Sequence, residues 1–181
     1  MVLNYNNADN YWKGRWLEYP VYEAYSEVLL DKCGSVSIDY SPTSDIERVI
    51  YAPSNDPKWK VIWYRPNQGT APPAGSRPDF EIFDQNQLVE AVECKNVNSG
   101  WQIYDSWFAK RIANRFNQPS QHKLLIISYW NPYPSHQHYL NIQLSSLKLE
   151  VLSLGKQITL DDEADVRVRL LTEPVFRKPF P

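Results

Sequence analysis

The stretch from Phe80 to Lys95 constrains this chain more than any other. Phe80–Phe83 and Leu88–Lys95 are apolar-rich runs separated by Asp84-Gln85-Asn86-Gln87. Two such runs joined by a short polar link read as a β-hairpin. Strand side chains alternate between faces, so Val89, Ala91, Glu93 and Lys95 share one face, and Glu90, Val92 and Cys94 share the other. Apolar residues lie on both faces, which predicts that Glu93 is half-buried. An acid in that position needs a partner or a metal. A further acid, Asp79, stands directly before the first strand, in Arg77-Pro78-Asp79-Phe80.

The elements around the hairpin set its context. A helix is expected over 19–32, with Pro20 in its first turn and Gly34 as its stop. Its apolar side carries Val21, Tyr25, Val28 and Leu29. Short extended segments follow at 35–40, 47–52 and 58–64, and the Pro- and Gly-rich stretch 65–78 reads as a loop. After the hairpin, Tyr104, Phe108, Ile112 and Phe116 recur at spacing four and predict a helix over 103–117. Lys110, Arg111 and Arg115 lie off that stripe, placed to grip phosphates or to form a solvated face. Lys123–Tyr129 reads as a buried strand. Strand-like runs at 147–154 and 166–171 flank an acidic turn, Asp161-Asp162-Glu163. The order predicts a mixed α/β (α+β) fold with a central mixed sheet flanked by helices. The helix between Lys95 and the strand at 123–129 suits a crossover between parallel neighbours. One domain is expected over 1–181, with its core at about 19–130 and a C-terminal β extension over 131–181.

Composition narrows the function classes. The chain has 181 residues, 43% hydrophobic and 14% aromatic, which is enough for a packed core. Its formal net charge of −2 argues against a broad basic surface that coats nucleic acid. It has 2 cysteines, Cys33 and Cys94, too few for a disulfide framework or a four-cysteine metal site. The apolar runs are too short to span a bilayer, and the first residues have no signal-peptide layout. The expectation is an intracellular, cytoplasmic protein with no membrane partner. The 7 Trp and 12 Tyr exceed the needs of the core, so some should line a binding surface. Lys13 and Arg15 sit among Tyr11, Trp12 and Trp16, a mixture that stacks bases or caps the core. His136-Gln137-His138 has metal-like spacing but no acid nearby.

The acids and the lysine suggest one chemistry. Hydrolysing a phosphodiester needs a positioned water, stabilised charge on the phosphoryl oxygens and help for the leaving oxygen, and a divalent metal serves all three. Mg²⁺ (or Mn²⁺) takes oxygen ligands and keeps several waters. Asp79 and Glu93 are the candidate carboxylate ligands and the Cys94 carbonyl a third. Lys95, on the face of Glu93, would orient the nucleophile and offset developing charge.

Pro78-Asp79 with Glu93-Cys94-Lys95 resembles the motif of the PD-(D/E)xK nuclease superfamily, which includes many restriction endonucleases and the archaeal Holliday-junction resolvases. The resemblance runs from about Tyr19 to Tyr129. It implies a restriction-endonuclease-like core, a Mg²⁺-dependent nuclease acting on DNA, Asp79 and Glu93 as metal ligands and Lys95 as the catalytic lysine. Many members add a glutamate on the first helix. Glu23 and Glu27 are the two candidates, and the spacing from Glu23 to Gly34 is similar to the resolvase pattern, favouring Glu23. Other readings are a catalytically silent nucleic-acid-binding or assembly module on the same fold, a structure-selective resolvase, and an RNA nuclease. Symmetric cutting of two strands calls for a homodimer.

Overall fold

The computed structural model of the chain describes residues 5–53, 58–66, 77–97, 106–116, 118–128 and 144–180. The expectations placed on 67–76, on Tyr104 and on His136-Gln137-His138 lie outside the described residues. The described elements are α1 (Tyr5–Cys33), β1 (Ser37–Thr43), β2 (Ile46–Tyr51), β3 (Trp59–Tyr64), β4 (Phe80–Asp84), β5 (Gln87–Asn96), α2 (Ser106–Arg115), β6 (His122–Ser128), β7 (Glu150–Ser153) and α3 (Glu163–Thr172). The strands form one open, mixed sheet in the order β1-β2-β3-β4-β5-β6-β7. Neighbours are antiparallel as far as β5, and then β6 and β7 run parallel to it. The crossover from β5 to β6 carries α2, as a parallel pair requires.

The hairpin turns at Gln85 and Asn86, whose φ values of 48° and 66° are both positive. That is the geometry of a two-residue turn whose twist matches the strands. Ile82 faces Glu90, whereas Phe83 faces Leu88, so Val89 is an extra residue, a bulge. The bulge corrects the simple alternation. Val89 packs with the cluster that holds Val92 and Cys94, and Ala91 belongs to the opposite face.

Two cores result. On one side of the sheet, α1 lays Leu17, Val21, Tyr25 and Leu29 against Ile50, Val61, Phe80, Ile82 and Val92. On the other side, Phe108, Ile112 and Phe116 cover Ala91, Leu125 and Ile127. Gly34 ends α1 with φ +78° and donates its N–H to the Leu30 carbonyl at 2.8 Å, the left-handed stop expected for it.

Two elements differ from the sequence reading. The first helix begins at Tyr5 and carries Pro20 inside it. The run at 166–171 is helical, within α3, and not a strand, so β7 is the C-terminal strand among the described residues. The alternation of Val166, Val168 and Leu170 suggested a strand. Packing instead buries Val166 and Leu170 at spacing four and leaves Val168 exposed. Glu163 and Asp165 in its first turn favour the helix dipole. Arg169 on α3 donates to the Leu154 carbonyl at 2.7 Å and the Ser153 carbonyl at 3.0 Å, where β7 ends. The C-terminal segment then closes the core: the Phe176 ring lies 4.4 Å from that of Tyr25, and Phe180 lies 5.0 Å from Trp59. No helix among the described residues is long and apolar enough to cross a membrane.

Phe176 is fully buried. Phe176→Ala is expected to cost about 3–5 kcal/mol in urea denaturation. A loss under about 1 kcal/mol would show that the C-terminal segment is not part of the core.

Candidate functional site

The site originates in a mismatch of strand lengths. β4 begins at Phe80, opposite Val92, but β5 continues to Asn96. The Val97 N–H reaches the Ser128 carbonyl on the β6 side at 3.0 Å. Main-chain groups alternate in direction along a strand, so the Cys94 N–H and carbonyl point the other way, to where β4 has ended. Pro78 brings no N–H to that edge. Asp79 closes the gap. Its Oδ2 accepts the Cys94 N–H at 2.8 Å, and its own carbonyl accepts the Tyr64 N–H at 2.9 Å. The carboxylate is thus fixed from β5 and the main chain from β3. The register that pairs Phe80 with Val92 sets Asp79 beside Glu93.

Glu93 is 0% exposed, where the sequence suggested half-burial. Its Oε1 accepts from Lys95 Nζ and lies 3.5 Å from Arg115 Nε, while its buried Oε2 has no hydrogen-bond partner among the described residues. Burial, then the charge of Asp79, raises the Glu93 carboxyl to about 7, with Lys95 and Arg115 pulling the other way. For Lys95, burial lowers the ammonium pKa, but Glu93 and Asp79 outweigh it and the net shift is upward. Lys95 is therefore a firmly charged donor on the face of Glu93.

A third carboxylate comes from α1, and it is Glu18. Glu18 is 6% exposed, and its Oε2 accepts from Arg15 Nη1 and Trp63 Nε1, both at 2.8 Å. Burial and then the charge of Asp79 raise it to about 7. Asp79 thus acts on both Glu18 and Glu93, and the three carboxylates form one electrostatic cluster. Glu23 and Glu27 stand elsewhere. Their carboxylates reach Arg167 of α3, at 3.6 and 3.2 Å, and pin that helix to α1. The five residues from Glu18 to Glu23 turn the side chain well around the helix, so both cannot face Asp79. Glu18 was missed because Pro20 was read as the helix start. Had the stripe been continued backwards, Glu18 falls one turn before buried Tyr22 and two before Tyr25.

Of the three basic residues expected to meet phosphates, Arg115 faces the cluster, and its Nη1 also donates to the Arg77 carbonyl at 3.1 Å. Lys110 and Arg111 are exposed on the outer side of α2. A polar clamp holds the strand just beyond Lys95. The Asn96 amide donates to the carbonyls of Lys13 at 2.7 Å and Ile158 at 2.8 Å, and its oxygen accepts from the Ser128 hydroxyl at 2.8 Å. Ser128 Oγ also lies 2.9 Å from the Lys156 carbonyl and accepts the Ile158 N–H at 2.8 Å. The network joins α1, β5, β6 and the segment before α3, and so fixes the backbone that carries Lys95.

Among the described residues, no three His, Cys, Asp or Glu side chains converge closely enough to hold a metal ion by themselves. The donor set that fits one is Asp79, Glu93 and the Cys94 carbonyl, with water completing the shell as Mg²⁺ prefers. The unpartnered buried oxygen of Glu93 is the observation that a cation would satisfy. Comparison with known proteins found no matching family model, no matching curated protein and no matching solved structure.

Glu93 and Glu18 bind their protons more tightly folded than unfolded. Between about 4.5 and 7 the folded state therefore holds more protons, and stability falls as pH rises through that window. For Glu93 alone the loss is on the order of 3 kcal/mol. In EDTA, Tm is expected to drop between about pH 5 and pH 7.5, and Glu93→Gln should remove part of that drop. Mg²⁺ or Mn²⁺ should raise Tm at the upper pH and much less at the lower. A pH response identical in wild type and Glu93→Gln would contradict this assignment.

Proposed function

We propose that the chain is a metal-dependent nuclease of PD-(D/E)xK type that hydrolyses DNA phosphodiester bonds. The observation that carries the reading is Glu93: a fully buried carboxylate with one oxygen unpaired, set beside Asp79 and on the same face as Lys95. A structural ion pair of this composition is usually exposed and worth about 0–1 kcal/mol. Burying it and leaving one oxygen unsatisfied costs more than such a pair returns, unless the oxygen has another use.

Asp79, Glu93 and the Cys94 carbonyl would hold Mg²⁺ or Mn²⁺, which when bound supplies Lewis acidity and a water of lowered pKa. The residues of the chain do the rest. Lys95 Nζ orients the water that attacks phosphorus and offsets charge on the non-bridging oxygens. The water oxygen bonds to phosphorus, the bond to the leaving oxygen breaks, and the products are a phosphate monoester and a hydroxyl. Arg115 approaches the same Glu93 oxygen from α2, which keeps its carboxylate in place when Lys95 turns toward substrate. Glu18, with a carboxyl near 7, is suited to exchanging a proton with a bound water at neutral pH. The DNA partner belongs to this proposal. So does the homodimer, which symmetric cutting of a duplex would require.

One observation favours the second reading, a silent binding module. Lys95 and Arg115 already balance the charge of Glu93 without a metal. Cleavage assays separate the two. Wild type is expected to cut plasmid or oligonucleotide DNA with Mg²⁺ or Mn²⁺ and to stop in EDTA. Lys95→Ala should lose at least about 100-fold in rate while its Tm stays within a few degrees. Glu18→Gln should slow cutting by about tenfold or more, and Glu23→Gln should leave it unchanged. Cutting by Lys95→Ala at the wild-type rate would refute the nuclease reading. Binding without cutting under any divalent ion would establish the silent one.

A further inference from the structure

A cleft of about 640 Å³ opens beside Glu18, within the size range of small-ligand sites. Its walls are largely aromatic: Trp12, Trp16 and Tyr19 from α1, and Trp63 from β3. We propose that this cleft receives an unpaired nucleobase of the substrate strand, so that the site acts on single-stranded DNA or on nucleotides displaced from a duplex. The inference rests on the nuclease reading for its substrate and on the cleft itself for its chemistry.

Three observations carry it. The first is exposure. Trp12 is 58% exposed and Leu160 60%, two large apolar side chains lining one cleft. The second is charge. Two arginines, Arg15 and Arg48, and two glutamates, Glu47 and Glu163, line the cleft. Glu47 is paired to Arg15 at 3.1 Å and Arg65 at 3.0 Å. Opposite charges in equal number do not make a phosphate site, but planar guanidinium groups held against rings suit a neutral planar ligand. Arg15 stands 4.6 Å from the centre of the Trp63 ring, and Arg48 lies 4.7 Å from that of Tyr22 and 5.6 Å from that of Tyr19. The third is continuity. Trp63 forms a wall of the cleft, its indole N–H binds Glu18 at 2.8 Å, and it pairs across the sheet with Phe80, the residue after Asp79. A ring in the cleft is one residue away from Glu18.

A base inside a duplex presents its edge and cannot offer its face to a wall of this kind. It must leave the stack first. Sequence-tolerant stacking on aromatic side chains is the usual way that single strands are held. The cleft thus selects for unpaired nucleotides and not for a sequence.

The test uses the full chain in EDTA, so that binding is read without cutting. A fluorescein-labelled single-stranded 12-mer and a blunt hairpin duplex in which that 12-mer is joined to its complement by a non-nucleotide linker are titrated by anisotropy, and a 12-mer carrying 2-aminopurine reports stacking. The single strand should bind more tightly than the hairpin and quench 2-aminopurine. Trp12→Ala should weaken single-strand binding by about 5- to 100-fold and relieve the quenching, leaving the hairpin unaffected. Val168→Ala, an exposed change on α3, should alter neither. Equal binding of strand and hairpin, no effect of Trp12→Ala, or no binding of any oligonucleotide would overturn the proposal. If Trp12-dependent binding of single strands persists in a protein that never cuts, the cleft assignment stands and the nuclease reading fails. Cutting that depends on Lys95 but not on Trp12, with equal binding of both DNA forms, gives the reverse.

Discussion

Asp79 stands in for a strand. β5 outlasts β4, and the Cys94 N–H would have no ladder partner without the Asp79 carboxylate. That one hydrogen bond fixes where the carboxylate points. It also leaves the Cys94 carbonyl facing the same gap and keeps Glu93 beside Asp79. The rest of the site is arranged around this junction. Trp63 and Arg15 bring Glu18 to it from α1, and Lys95 and Arg115 approach Glu93 from β5 and α2. The parallel half of the sheet contributes in turn, because the site lies at the carboxyl end of β5, where open α/β sheets place their ligands.

The energetics explain why the arrangement is informative. The charge of Asp79 bears on two buried acids, Glu18 and Glu93, and with their burial this opposes stability at neutral pH. Lys95 and Arg115 relieve part of the strain at Glu93, but its second oxygen stays unsatisfied. A fold selected only for stability would replace such a carboxylate with an apolar side chain. The polar clamp of Asn96 and Ser128 adds a rigid anchor one residue from Lys95. Rigid support next to destabilised charge is how a site is preorganised.

Much of this was legible in the sequence, for physical reasons that differ by element. The hairpin was readable because period-two alternation and a short polar link are local signals, and α2 because its aromatic spacing is helical. The parallel crossover followed from element order. The bulge at Val89 was not readable, since an extra residue in one strand leaves no compositional trace. The α3 segment was misread because its alternating Val and Arg satisfy a strand template locally, and contact with α1 decides otherwise. The closeness of Asp79, Glu93 and Lys95 was readable because a strand fixes their relative placement. Glu18 was not, because its relation to Asp79 is purely tertiary, and Pro20 hid the helical turn that holds it. Glu23 had the right spacing to Gly34 but serves a structural pairing with Arg167.

The central claim is that the unpaired oxygen of Glu93 and the carboxylate of Asp79 share a divalent ion. Anomalous diffraction from crystals soaked in Mn²⁺ tests it most directly. The account predicts one strong peak at about 2.0–2.2 Å from Glu93 Oε2, an Asp79 oxygen and the Cys94 carbonyl. A Mn²⁺ peak elsewhere, with Glu93 still bonded only to Lys95 and Arg115, would contradict it.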